Sequence, residues 1–253
     1  MANYHLEVKN ISRGSGGSIT RRASYIYGEK LHDNYLGKIC FKNRDDVLLR
    51  KIFLPSNSPL EYGSLQTLCD EIDKAEKRYD ARTAKEFIGS LPNELPHGEI
   101  VKIVEDFVTV NFIEKGLAAI AAIHEGRNAA DESRNNPHAH ILVTTRTLSA
   151  DGFSRKKFRE INNKENLLVW RERWAQLQNR AYERSGLDIM VSHECLKVQG
   201  VERIPTPHLC VIDWQREKGG EHTPAGDIRR EVQERNSRPT YAKERERSKA
   251  KSR

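Results

Sequence analysis

Nowhere in these 253 residues does an apolar run approach the roughly 20 residues that a membrane-spanning helix needs. The N-terminus, Met1-Ala-Asn-Tyr-His-Leu-Glu7, also lacks the basic-then-apolar order of a secretory signal. Both absences argue against a membrane partner and lead us to expect a cytoplasmic protein. Cysteine is scarce: Cys40, Cys69, Cys195 and Cys210 lie far apart and form no Cys-x-x-Cys pair. That pattern argues against a disulfide framework or a zinc knuckle, and leaves reduced, mostly structural thiols. No internal repeat is visible. What is present, 37% apolar and 31% charged residues, suits one large domain, or one domain with an appendage, that buries a sizeable core.

The formal charge of +7 invites a nucleic-acid reading, but its distribution weakens that inference. From Trp214 to Arg253 there are 12 Lys and Arg against 7 Asp and Glu, a net +5, which leaves only +2 for everything before. Apolar residues nearly vanish from Gln215 onward. We therefore divide the chain into a main domain, residues 1–213, and a charged, basic C-terminal helix or tail, residues 214–253, partly disordered if not helical. A cationic groove in the main domain has to be argued from local placement.

Hydrophobic periodicity outlines the main domain. Residues 2–9 alternate as a half-buried strand does. Residues 11–18 form a Gly/Ser loop, which is either an ordinary turn or a place where backbone N–H groups meet a phosphate. A short helix over 19–31 carries Arg21, Arg22, Tyr25 and Tyr27; at about 100° per residue the two tyrosines point in nearly opposite directions, so at most one can face any given site. One strand is expected within 38–54, a helix over 64–78, a strand over 83–91 with Glu86 as its one acidic residue, and a helix over 98–115. After a polar loop at 146–163, residues 164–185 place Leu167, Trp170, Trp174, Leu177 and Ala181 at helical intervals, with Gly186 at the C-cap. A shorter helix is expected around 193–199. The fold class is α+β: a central antiparallel sheet with helices packed around it.

His138 and His140 lie two apart in an apolar run, so in a strand both imidazoles project from one face. His124 ends another apolar run, Leu117–His124, and the intervening loop of Gly, Asn, Asp, Ser and Arg lets the two runs pair as antiparallel neighbours. Three neutral imidazoles on one face would leave coordination positions of a divalent metal open. A single strand histidine is more often a core or surface residue than a ligand; the trio shifts that balance. A nucleophile is harder to find. A phenol of pKa about 10 is scarcely ionised at neutral pH and needs a nearby cation, metal or base, and on spacing alone Tyr25 fits a core position better than a reactive one.

Five collinear stretches alter that balance. Tyr4-His-Leu-Glu-Val-Lys9 with Ser12-Arg13, Ala23-Ser-Tyr25 with Gly28-Glu-Lys30, Asp80–Glu86 leading to Leu91-Pro92, Asn136-Pro-His-Ala-His-Ile-Leu142, and Gln199–Arg203 with Pro205 and His208-Leu209 closely resemble the MobA/MobL relaxases, plasmid mobilisation nucleases of the HUH endonuclease group. The resemblance spans about residues 1–210. It implies a relaxase that nicks one strand of DNA at a transfer origin, with Tyr25 attacking the scissile phosphate to leave a 3′-OH and a 5′-phosphotyrosyl link that the same site can rejoin. It further implies that His124, His138 and His140 hold Mg2+ or Mn2+, and that Glu86 orients a metal ligand or accepts the tyrosine proton. Ser12, Arg13, Arg21, Arg22 and Arg146 are assigned to DNA contact. The implied partners are single-stranded DNA at the origin, accessory mobilisation proteins and a coupling protein. Tyr27 stands as a second candidate nucleophile, and the place of His124 depends on the loop between Gly126 and Asn136.

Other classes remain in view. A rolling-circle replication initiator of the same group would differ in the DNA sequence it cuts. A non-catalytic DNA-binding module would keep its affinity without Tyr25 or metal. A histidine-triad phosphohydrolase would want a third alternating histidine where Leu142 stands, and a two-motif phosphoesterase a second His-x-Thr/Ser run, which is missing.

Overall fold

A computed structural model describes residues 4–132, 135–207 and 209–237. Its chain order is β1 (Leu6–Ser12), α1 (Ile19–Tyr27), β2 (Leu31–Asp33), β3 (Lys38–Cys40), β4 (Val47–Phe53), α2 (Leu65–Ala75), β5 (Arg82–Ser90), α3 (His97–Asn111), β6 (Leu117–His124), β7 (His138–Ser149), β8 (Gly152–Phe153), α4 (Glu165–Arg184), α5 (Val211–Lys218) and α6 (Pro224–Ser237). The main sheet runs β1-β5-β7-β6-β4 with every pairing antiparallel, and β8 extends it from β7. β2 and β3 form a separate small hairpin.

All eight residues of β6, Leu-Ala-Ala-Ile-Ala-Ala-Ile-His, are buried, because helices cover both faces of the sheet. Alternation sorts them. Ala118, Ile120 and Ala122 join Ile19, Ala23, Ile26, Leu65 and Leu68 of α1 and α2. Ala119, Ala121 and Ile123 join Phe107 of α3 and Trp170 and Trp174 of α4 on the other side. The small alanines let both helix layers sit close to the backbone. Phe87, Phe107, Phe112, Trp170 and Trp174 stack edge-on and tilted in the α3–α4 layer, with centroids 4.9–6.1 Å apart. This is the antiparallel α+β sheet expected from the sequence.

Several elements differ from expectation. The polar stretch from Arg146 is not a loop from its start: β7 continues to Ser149 and turns back as β8. A charged residue sits comfortably there because Arg146 pairs with Glu76 at 2.8 Å. Around 193–199 there is no helix but a series of turns, since that short segment has no apolar stripe to bury. α1 stops at Tyr27, where Gly28 adopts φ +68 as a left-handed cap.

The chain divides into two compact units, residues 1–193 and 194–253; the fall in apolar content comes later, near residue 214. In the second unit, Glu217 of α5 pairs with Arg230 of α6 at 2.5 Å and accepts from Thr223. Asn236 exchanges two bonds with the backbone of Ile204. His208 and the tail beyond residue 237 lie outside the described residues. No helix among the described residues is long and apolar enough to cross a membrane.

Candidate metal and nucleophile site

The pairing of β6 with β7 sets His124 opposite His138 and Ala122 opposite His140, so three imidazoles rise from one face. Their ring centroids are 4.8, 5.1 and 5.2 Å apart, and one ligand nitrogen from each lies within 4.8 Å of the others. The loop joining the strands is closed at its base, where the Asn136 N–H donates to the Gly126 carbonyl at 3.0 Å. Gly126 has φ +62, and a Cβ there would stand 2.2 Å from the Asn136 oxygen. Only glycine permits that closure, and it holds the end of β6, and with it His124, beside His138.

Each imidazole is tied at one ring nitrogen. His124 Nε2 bonds the Ile26 carbonyl at 2.7 Å, His138 Nδ1 the Asn136 carbonyl at 2.7 Å, and His140 Nδ1 the Glu86 carboxylate at 3.1 Å. The partners of His124 and His138 are carbonyl acceptors, so there the tied nitrogen carries the proton and the other keeps its lone pair; His140 Nδ1 is approached by both the Glu86 carboxylate at 3.1 Å and Arg22 Nη2 at 3.3 Å, and the closer, anionic acceptor favours the proton on Nδ1. His124 Nδ1 is buried with no hydrogen-bond partner, which ordinarily costs about 1–3 kcal/mol. Burial lowers the pKa of all three: His124 falls to about 3, partly offset by its bond to Ile26 and pushed further by His140 and Arg44, and His138 and His140 fall for the same leading reason. Three neutral imidazoles, each oriented through its far nitrogen, with an orphaned buried lone pair among them, fit a divalent cation.

α1 crosses above this cluster. Its N-cap Ser18 accepts from the Arg21 N–H at 3.1 Å. Tyr25 is half-buried, with its ring 6.4 Å from both His124 and His140 in edge geometry. Arg22, one turn earlier, lies 4.7 Å from the Tyr25 ring centroid. Arg44 lies 5.0 Å from it. Tyr27 points the other way into the α1–α2 core, 4% exposed, its hydroxyl without a partner and its pKa raised by burial.

Glu86 and Arg44 complete the charge pattern. Buried Glu86 accepts from Arg22 Nε at 2.7 Å and Nη2 at 2.6 Å as well as from His140. Burial alone would raise its pKa, yet the bonds from His140 and Arg22 outweigh it and hold the carboxyl below its ordinary range. It is thus ionised at neutral pH, suited to orienting His140 and a weak proton acceptor. Arg44 is clamped by both oxygens of Asp46 at 2.9 Å, and that bond lowers the Asp46 pKa. A Cβ at Gly28 would come within 3.0 Å of the Arg44 side chain, so the glycine that ends α1 also admits Arg44. Sequence reasoning missed Arg44 and Asp46. The available signal was their place just before Val47, which pairs with His124.

The structure gathers Tyr25, Arg22, Glu86, His124, His138 and His140. Arg21 and Ser12 line an open groove of about 360 Å³ that Tyr25 and Arg22 line as well. Arg13 is turned inward: its side chain is 4% exposed, paired with Asp73 at 2.8 Å and bonded to the Asp73 and Glu76 carbonyls. Arg146 lies at the far end of β7, bound to Glu76.

The MobA/MobL family model matches residues 17–218. A probable mobilization protein MobA of Bifidobacterium longum is 37% identical over 149 residues, which are 58% of this chain and 26% of that protein. The mobilization protein MobL of Acidithiobacillus ferridurans is 29% identical across 94% of this chain and 70% of its own length. A structure solved for the "Molecular Basis of Vancomycin Resistance Transfer in Staphylococcus aureus" superposes with TM-score 0.68 at 27% identity, covering 77% of this chain and all of that one. The chain spans about a quarter or less of the length of the first curated relatives it matches.

Proposed function

The chain belongs to the MobA/MobL family, and from that premise we propose that it is a relaxase: a nuclease that cuts and rejoins one DNA strand at a plasmid transfer origin. The observation that carries the reading is Tyr25 edge-on to His124 and His140, two of three clustered imidazoles that each keep one nitrogen free. In this reading the Tyr25 oxygen attacks the scissile phosphorus. A bond forms between Tyr25 and phosphorus, the bond to the 3′ oxygen breaks, the phenol loses its proton, and the departing 3′ oxygen gains one. One phosphodiester replaces another, so the reverse attack by a 3′-OH restores the strand.

His124 Nδ1, His138 Nε2 and His140 Nε2 are the atoms that would hold Mg2+ or Mn2+. Such an ion supplies positive charge that polarises the phosphate and stabilises charge on its oxygens. Arg22 and Arg44 flank the Tyr25 ring and favour negative charge developing on the phenolic oxygen. Glu86 fixes the tautomer and orientation of His140. Of the two roles the sequence suggested for it, orienting a ligand is the one its lowered pKa favours. Single-stranded DNA is the substrate of this reading, met in the cytoplasm, with accessory mobilisation proteins and a coupling protein as partners in transfer.

Single-stranded oligonucleotides tiling a candidate origin, incubated with the protein and Mn2+ and run on a denaturing gel, test the reading. The expected result is a protein band shifted by covalent DNA, absent in Tyr25→Phe and after chelation. An adduct that persists in Tyr25→Phe overturns the assignment.

A further inference from the structure

A second cleft, of about 650 Å³, lies at the opposite end of the same sheet face, lined by Lys77, Arg78, Arg82, Arg146, Arg155 and Lys157. Two acidic residues share it, and both are engaged. Glu76 is buried against Arg146 at 2.8 Å and Lys157 at 2.9 Å, and Asp80 pairs with Arg78 at 2.8 Å. Lys77, Arg82 and Arg155 are exposed and join no ion pair among the described residues. Six basic against two acidic side chains give this cleft a local excess of +4, whereas residues 1–213 as a whole carry only +2. Charge is concentrated here rather than spread.

Such an excess, in an open cleft far larger than one phosphate, suits an anion that repeats. Its position suggests which. Arg146 lies six residues beyond His140 along β7, past a register shift opposite Leu117 and Ala119, and so at most about 20 Å away at the rise of a strand. The ground between is not bare: the groove lined by Tyr25 is lined also by Ser12, and the Ser12 hydroxyl donates to the carbonyl of Asp80, which lines the cleft, at 3.3 Å. The walls of groove and cleft therefore adjoin through Ser12 and Asp80.

We propose that this cleft is a second phosphodiester-binding site, which holds the backbone of the same DNA strand at the other end of β7 from the phosphate that Tyr25 attacks. The inference rests on the reading of the chain as a DNA strand-transfer enzyme. Glu76, with Arg146 and Lys157, braces the walls, while Lys77, Arg82 and Arg155 face the phosphates as ionic contacts without base preference.

The test compares three proteins by fluorescence anisotropy on a labelled oligothymidylate of about 30 nucleotides across a salt series. They are the wild-type chain, the triple variant Lys77→Ala/Arg82→Ala/Arg155→Ala, and a control that loses equal charge on the α3–α4 side, Lys102→Ala/Lys115→Ala/Arg180→Ala. The cleft variant should bind about tenfold more weakly, with a slope of log affinity against log salt smaller by about 2, at about 0.7 per lost phosphate contact. The control should match wild type. Equal losses in both variants, or an unchanged slope in the cleft variant, overturn the inference while leaving the reading of Tyr25 intact. Failure of the wild-type chain to bind the oligonucleotide would overturn both.

Discussion

His140 Nδ1 stands 3.1 Å from Glu86 Oε1, both side chains buried, with Arg22 donating to the same oxygen. This relationship links α1, β5 and β7 through one carboxylate and sets which nitrogen of His140 faces the cluster.

Glu86→Gln keeps the shape but removes the charge that fixes His140. Removing a carboxylate behind a metal-ligating histidine typically costs 10–100-fold in metal affinity. Titration calorimetry with Mn2+ should show a loss in that range, and unchanged affinity would mean that Glu86 serves only to hold Arg22.

His138 is the least buried of the three histidines, so His138→Ala separates chemistry from folding. Strand cleavage should disappear, thermal stability should stay close to wild type, and single-stranded DNA affinity should be largely kept, because Lys and Arg contacts to phosphate dominate it. Loss of folding in this variant would make the histidine a core residue instead.

Tyr27→Phe removes a buried hydroxyl that has no partner. Relieving an unsatisfied buried group is worth up to about 1–3 kcal/mol, so chemical denaturation should find the variant as stable as wild type or more so, with cleavage unchanged. A drop in cleavage would give Tyr27 a part in the reaction.

The metal-free protein should weaken as pH falls below about 6.5. The His124 pKa is about 3 when folded against 6.5 for a free imidazole, so between those values the unfolded chain binds more protons. Stability therefore rises with pH by up to about 1.4 kcal/mol per unit for each such histidine. His138 and His140 are shifted in the same direction, and Glu86, lowered from 4.5, adds loss at the acid end. Urea midpoints measured with chelator at pH 7, 6 and 5 should fall in order; a flat series would contradict the neutral, buried cluster.

Much of this arrangement could be read before the fold was seen. Period-two alternation put His138 and His140 on one face, and a pairable apolar run offered His124. Helical geometry showed that Tyr25 and Tyr27 diverge, but not which one met the histidines, because that depends on how α1 docks on the sheet. Charged side chains were the least legible. Sequence shows a charge and not its partner, so Arg13, bound to Asp73, and Arg146, bound to Glu76, read like Arg21, which lines the open groove. Arg44 reaches Tyr25 only through the β4–β6 pairing and the space at Gly28. The region around 193–199 lacked the apolar stripe that would have supported its expected helix.

The central claim is that Tyr25 is the atom source of the covalent link. Trypsin should release Ala23-Ser-Tyr-Ile-Tyr-Gly-Glu-Lys30 from the DNA adduct, a peptide that carries both tyrosines. Fragmentation of that peptide by tandem mass spectrometry, after nuclease trimming of the DNA, should place the nucleotide on Tyr25. A nucleotide on Tyr27, or an adduct on any other peptide, would contradict the account.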